Sequence, residues 1–342
     1  MLNRPTVHDI AKEAAVSLAT VDRVLNDRPG VRQKTIDKVM AAAERLGYVR
    51  DTSAANLAKR RQYRFAFILP TGPSQFIEAL ELALREAATS HVAERMLINT
   101  IRVPQRDPHA IVRALRALDP ERLDGVALMV PETPQVRDAV ARLKGAGLWI
   151  VALVSDLPNS RRDYFIGVNS LAAGRTAALL MGRFAHESGE ILVVTNSIHS
   201  RDSLERRVGF DDVIRETFPH LSVLPSVEAH DDPARMEQII TDVIAARPQL
   251  AGIYSVGWGN SALLKVLRSH QQQKRLWVIA HELTPGTYDA LLKDELAAVI
   301  AHNVGHLVRG ALRVLRSLCD GLPIYEAQEQ ARIEIILREN LP

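Results

Sequence analysis

The stretch from Pro5 to Lys59 constrains the chain most, because its punctuation leaves room for only one arrangement of two short helices. Thr6, with Asp9 three residues on, makes a capping-box-like start, and Val7, Ile10, Ala11 and Ala14 then fall on one face. Ser17 is an N-cap for a second helix, and Val16 before it and Val21 inside it are placed as a hydrophobic staple. Only Ala15 and Val16 separate the two helices, too short a link for independent elements, so the pair folds back as a helix-turn-helix. Val21, Val24 and Leu25 form the apolar side of the second helix, leaving Leu18, Ala19, Asp22 and Arg23 outward. A third helix, about Gln33 to Leu46, closes the small core through Ile36, Val39, Ala43 and Leu46, with Gly47 as its left-handed cap.

Charge respects the same boundary. Met1–Arg64 carries 13 Lys and Arg against 7 Asp and Glu, whereas the remainder carries 30 against 33. A basic excess confined to a helix-turn-helix suits a phosphate backbone, since Lys and Arg gain affinity by releasing counterions; a solvated basic face is the alternative. The phrases VHDIAKEAAVS, RVLN and ERLGYVRD resemble the amino-terminal signature of the lactose-repressor (LacI/GalR) family of bacterial transcription regulators. That resemblance implies DNA contacts from Thr6, Ser17, Leu18, Ala19, Thr20, Asp22, Arg23 and Asn26, with Leu18 and Ala19 opening the recognition helix. It also implies a hinge helix over Ser53–Lys59, ordered on operator DNA, in which Leu57 wedges into a central minor-groove step beside Ala54 and Asn56. Three positions depart from the family pattern: Ala15 replaces a turn glycine, Asp22 a serine and Arg32 a serine cap. Asp22 either accepts from a cytosine amino group or pairs with a neighbouring Arg.

With 342 residues and 47% apolar content, two or three domains with ample cores are expected. A single cysteine, Cys319, excludes an internal disulfide and agrees with a reducing compartment. Met1–Ala11 is polar and helix-patterned, unlike a secretory signal, and no apolar run reaches the length of a membrane span. A soluble, cytoplasmic protein is expected.

After a basic linker at Lys59–Arg64, short apolar runs alternate with amphipathic helical patterns, the rhythm of parallel sheets covered on both faces. RFAFILP, MLINTIRV, GVALMV and WIVALVS belong to a first set; EILVVTN, LSVLPSVEA, AGIYSV and LWVIAHE form a second, after a crossover near Ser155–Asn169. LAAVIAH and ARIEIILRE can add strands at sheet edges. The expectation is an α/β chain: an all-α head with hinge at 1–60, then a two-lobed body at 61–342. The lobes would comprise about 63–168 with 303–324, and 169–302 with 325–342. IGVNSLAAGRTAALLMG, YSVGWGNSALLKVL and HNVGHLVRGALRVL again resemble the lactose-repressor family, whose body shares its fold with periplasmic sugar-binding proteins.

The crevice between such lobes receives the loops that follow the strands, and is the expected ligand site. Gln75 and Phe76 follow the first strand, Ser155 and Asp156 the fourth; Trp258 and Asn260 follow AGIYSV, and His281 with Glu282 follow LWVIA. Arg206, three residues before Gly209, stands where the family places a ligand-binding Arg, and His302 where many relatives have glutamine. An Arg, carboxylates, amides and aromatic faces suit a sugar, polyol or sugar derivative, whose hydroxyls take bidentate partners and whose C–H face stacks on a ring. For each residue the alternative is a surface polar group or a core aromatic.

Gly257-Trp258-Gly259-Asn260-Ser261-Ala262 formally fits a dinucleotide fingerprint, and Glu282 follows at a suitable spacing. It sits in a late βα unit, however, and Trp258 would crowd the approach of a pyrophosphate. His302 and His306 have metal-ligand spacing but lack a third ligand, so no metal and no cofactor are expected. No nucleophile elbow, P-loop or His-Glu-x-x-His motif is present, and His199 beside Ser200 is too common a pair to indicate nucleophilic catalysis. The expected protein is a non-enzymatic, ligand-responsive repressor of a carbohydrate operon, homodimeric on a pseudo-palindromic operator. The chain ends without a leucine heptad, which favours a dimer over a tetramer, and the effector is open between inducer and co-repressor. A nucleotide-dependent α/β enzyme and a pure solute-binding module are the alternatives.

Overall fold

The computed structural model describes residues 5–26, 28–48, 61–72, 74–90, 95–197, 200–230, 232–269 and 276–342. The chain divides into two compact units, Met1–Arg61 and Gln62–Pro342. Ala54, Asn56 and Leu57, and with them the expected hinge helix, lie outside the described residues, as does His199.

In the first unit, helices α1 (Val7–Glu13), α2 (Leu18–Leu25) and α3 (Gln33–Arg45) enclose Ile10, Ala14, Val21, Val24, Val39, Ala42 and Ala43. The Thr6 backbone N–H and hydroxyl donate to the Asp9 carboxylate at 2.8 and 2.7 Å, which starts α1 and holds the Asp9 carboxyl below the usual carboxylate range. Ser17 caps α2 by accepting from the Thr20 N–H at 3.1 Å. Arg32, in place of a serine, makes no side-chain cap at the start of α3. At its other end Gly47 has φ +61°, and the N–H groups of Gly47 and Tyr48 reach the carbonyls of Glu44 and Ala43, a Schellman closure.

In the second unit the first sheet contains β1 (Tyr63–Pro70), β2 (Met96–Val103), β3 (Gly125–Leu128), β4 (Trp149–Leu153) and β5 (Tyr164–Ile166), in the order β2-β1-β3-β4-β5 and all parallel. Helices α4 (Gln75–Ser90), α5 (Pro108–Ala117) and α6 (Pro134–Gly145) connect its strands. β5 falls inside the stretch read from sequence as a crossover; three residues are too few to display a strand period.

The second sheet collects β6 (Gly189–Thr195), β7 (Leu221–Val223), β8 (Val227–Glu228), β9 (Leu250–Ser255), β10 (Trp277–His281), β11 (Ala298–Ala301) and β12 (Glu334–Ile336). Its helices are α7 (Ser170–Phe184), α8 (Arg201–Thr217), α9 (Pro233–Ala246), α10 (Asn260–Ser269) and α11 (Pro285–Leu292). LSVLPSVEA, read as one strand, is two, because Pro225 has no N–H to give to the ladder. β12 closes the edge antiparallel to β11. The long helix α12 (Val304–Asp320) crosses back, and its Leu307, Val308, Leu312 and Leu315 pack in the first lobe's core with Phe65 and Phe67. The short α13 (Glu326–Glu329) follows it.

Two glycines allow α7 and α8 to touch. A Cβ on Gly174 would lie 1.9 Å from the Arg206 carbonyl oxygen, and one on Gly209 2.2 Å from that of Leu171. Gly174→Ala must therefore push α8 away and is expected to destabilise the body by roughly 1–3 kcal/mol, read from chemical denaturation. The head offers the opposite sign. Ala15 is held at φ +46°, a left-handed conformation that a Cβ disfavours, so Ala15→Gly should stabilise the head by about 1 kcal/mol in thermal melts.

Candidate functional site

On α2 the apolar residues Val21 and Val24 are buried, so the helix periodicity leaves Leu18, Ala19, Asp22 and Arg23 exposed together. Leu18 is 42% exposed. Thr6 and Ser17 are also exposed, and both are engaged as helix caps; Thr20 and Asn26 are half-buried. Asp22 pairs with Arg28 at 3.1 Å and accepts from Asn26 Nδ2 at 2.8 Å, the pairing that was one of its two sequence readings.

The body holds a narrow cleft of about 80 Å³ where strands of both sheets end. Pro70, Met129 and Val154 reach it from the first lobe, and Asn196, Val256 and Glu282 from the second, each at or just after the carboxyl end of a strand. Arg206 enters from the second turn of α8, buried to 2% exposure. Its Nη1 donates to the Val256 carbonyl at 2.8 Å; Nη2 lies 3.7 Å from Glu282 Oε1, and Nε has no partner among the described residues. Glu282 is equally buried, with φ +71°. Burial pushes its carboxyl up to about 7 although Arg206 pulls the other way, and Asp202, on the first turn of α8, adds to the rise. His302 Nε2 stands 3.2 Å from Glu282 Oε2 without hydrogen-bond alignment, and its ring meets Phe76 edge-on at 5.1 Å. Burial and the Arg206 charge push His302 down to about 3, so it is neutral. Phe76 and Trp258 supply an aromatic face from each lobe.

Four other sequence candidates have different surroundings. Val154 has φ +64°, and the Ser155 N–H closes a tight turn on the Leu153 carbonyl at 2.7 Å. This turn puts Val154 in the cleft lining and leaves Ser155 buried outside it, its hydroxyl without a partner among the described residues. Asp156 is clasped by Arg162, at 2.8 Å through Nη2, and lines a separate groove with Tyr164 and Glu326. His281 is a core group: its Nε2 lies 2.8 Å from the Tyr254 hydroxyl, and burial with the Arg206 charge keeps it neutral. Asn260 is spent on structure at both ends, accepting from the Ser255 hydroxyl and donating to the His281 carbonyl. It nevertheless borders, with Gln75, a smaller recess beside the cleft. Sequence reasoning missed Met129, Val154, Asp202 and Ser203; Asp202 and Ser203 lie one turn before Arg206 on the same helix, a spacing that could have signalled them.

The glycines of the dinucleotide-like loop have local reasons. Gly257 and Gly259 have φ +129° and +80°, and a Cβ would meet Arg206 Nη1 at 2.9 Å and Met236 Cε at 2.4 Å. Among the described residues no group of three metal-ligating side chains is found, and no helix is long and apolar enough to cross a membrane.

Residues 65–323 match the periplasmic binding protein domain family, and residues 6–51 the family described as bacterial regulatory proteins, lacI family. Catabolite control protein A of Priestia megaterium is 32% identical over 164 residues, 46% of this chain and 48% of that protein. The HTH-type transcriptional repressor PurR of Actinobacillus pleuropneumoniae is 26% identical over 211 residues, 62% of this chain and 60% of that protein. The chain thus spans about half the length of the first of these relatives. Among solved structures, a Burkholderia graminis ABC-transporter solute-binding protein in complex with D-arabinose superposes with TM-score 0.74 at 22% identity, over 82% of this chain and 96% of that one. GanP, a glucose-galactose binding protein from Geobacillus stearothermophilus, gives 0.73 at 16% identity, over 82% and 99%. These structural likenesses establish the fold.

The buried groups of the cleft set a pH dependence. Glu282 holds its proton from 4.5 up to about 7 in the folded state, so this group alone lowers stability as pH rises across that window. His302, pushed from 6.5 down to about 3, has the opposite sign, and His281 shares its direction. Thermal stability should therefore rise with pH up to about 6.5, where the histidines outweigh the carboxyl, and ease off towards pH 7. Glu282→Gln should steepen the rise and remove the decline in melts followed by circular dichroism; an unaltered profile would rule out a carboxyl raised by burial.

Proposed function

We infer, for a chain that belongs to the lacI family of bacterial regulators and carries a periplasmic-binding-protein domain, that it represses transcription by binding an operator under the control of a sugar-type effector. The observation that carries this reading is the joining of two sites in one chain: an exposed recognition face on α2, and a cleft that gathers Arg206, Glu282, Phe76 and Trp258.

On the DNA side, Leu18, Ala19 and Arg23 take the major-groove contacts, and Thr6, Ser17, Thr20 and Asn26 the backbone. Asp22 stays with Arg28 and leaves the base preference to its neighbours. Ala54, Asn56 and Leu57 serve the central minor-groove step. Two copies of the chain place two heads on a pseudo-palindromic site. Leu82 on α4 and Leu97 on the edge strand β2, each 51% exposed, offer the body an apolar face for a second copy.

On the effector side, the hydroxyls of a sugar or polyol match the donors of Arg206 and the acceptors of Glu282 and Asp202, while a C–H face rests on Trp258 or Phe76. Ser155, Asp156, His281 and Asn260 act in supporting structure. The effector changes operator affinity only by its differential affinity for the DNA-bound and free forms.

A gel shift of the full chain on a palindromic site near its own gene tests the reading. Arg23→Ala should weaken specific binding roughly ten-fold or more while leaving the thermal melt of the body unchanged. Arg206→Ala should remove the response to the sugar that shifts the wild-type chain and spare operator affinity. Operator binding unchanged by Arg23→Ala would remove α2 from the groove.

A further inference from the structure

The two walls of the cleft differ in kind. Every buried lining residue of the first lobe is apolar: Pro70, Phe76, Ile77 and Val154, with the half-buried Met129 beside them. Even the Pro70 carbonyl is taken, by Arg102 Nη1. The polar groups of this wall, Thr71, Ser74 and Gln105, are exposed or half-buried and keep access to water. The second lobe also buries Val256, but it adds charge that the first lobe lacks, with Arg206 and Glu282 buried and Asp202 and Ser203 beside them. Its donors are under-used, since Arg206 Nε has no partner among the described residues and Nη2 is too far from Glu282 for a hydrogen bond.

A ligand that carries hydroxyls all round its ring would strand one or more of them against Pro70, Ile77 and Val154, stripped of water and without an acceptor. A ligand with one edge bare of hydroxyls satisfies both walls. We propose that the cleft is built for a deoxyhexose, its hydroxyl-bearing edge on Arg206, Glu282 and Asp202 and its methyl-bearing edge on Ile77, Met129 and Val154. This rests on the reading of the cleft as the effector site and narrows the class of sugar that enters it.

The wall at Val154 also provides the variant. A β-branched residue at φ +64° is strained, and asparagine is among the residues that adopt this conformation most readily. Val154→Asn therefore relieves the backbone while adding hydrogen-bonding groups to the apolar wall. Met129→Gln adds hydrogen-bonding groups to the same wall from a neighbouring strand end.

The test is calorimetric titration of the full chain with pairs of sugars that differ by one hydroxyl: L-rhamnose and L-mannose, L-fucose and L-galactose, D-fucose and D-galactose. The deoxy member of the pair that binds is expected to bind roughly ten-fold or more tightly than its parent, the scale of one group in an apolar pocket. Val154→Asn and Met129→Gln should each narrow or reverse that preference. Equal or tighter binding of the hydroxylated member overturns the proposal and leaves the sugar-effector reading standing, as does binding of a fully hydroxylated sugar when no deoxy sugar binds. Failure of every sugar to bind overturns both.

Discussion

A guanidinium taken out of water at Arg206 sets the terms for the second lobe. Burying an unpaired charge costs several kcal/mol, so the fold must answer it with dipoles and an opposite charge. The Val256 carbonyl supplies the dipole, and Glu282, across a gap slightly too long for a hydrogen bond, supplies a carboxyl that becomes an opposite charge only as pH passes about 7. The same demand explains three neighbours. Gly174 lets the backbone of Arg206 lie against α7, Gly257 leaves room for its Nη1, and Glu282 accepts a left-handed backbone beside it. The charge in turn helps to keep His281 and His302 neutral. The polar wall is thereby preorganised, with hydrogen-bonding capacity left over for a ligand.

The head solves a smaller problem with local means. Three helices around seven buried side chains provide little apolar area, so caps and closures matter more there than in the body. Thr6 with Asp9, Ser17 with Thr20 and the Gly47 closure all satisfy helix ends that so small a core cannot cover. Ala15 runs against this economy, since the turn between α1 and α2 demands a left-handed residue whatever its side chain.

Most of the architecture was legible in the sequence because its signals are local. Apolar runs of five to eight residues between amphipathic helices announce parallel strands, and helix starts such as Thr133-Pro134 and Asp232-Pro233 carry their own caps. β5 and the break at Pro225 were not legible, since three- and two-residue strands exist only by pairing with neighbours distant in sequence. In the cleft, Phe76, Arg206, Trp258 and Glu282 could be named because each adjoins a strand end or a recognisable phrase, and His302 is buried behind the lining, beside Glu282 and Phe76. Ser155 and Val154 adjoin the same strand end, and nothing in a one-dimensional pattern says which of the two the turn directs into the gap.

The order of elements, the helix-turn-helix head, the two-lobed parallel body and the loops that could meet a ligand can all be read along the chain. These follow from periodicity, capping and turn chemistry, which act over a few residues. Packing was needed to show that Asp22 closes on Arg28, that His281 serves the core and Asp156 a separate groove, and that the buried charges of the cleft lie on one wall. The Asp22–Arg28 and Asp156–Arg162 pairs span only six residues, whereas the burial and electrostatic partnerships of the cleft arise between residues tens of positions apart. A side chain's desolvation, and with it the protonation of Glu282 near neutral pH, has no value until those distant elements have packed.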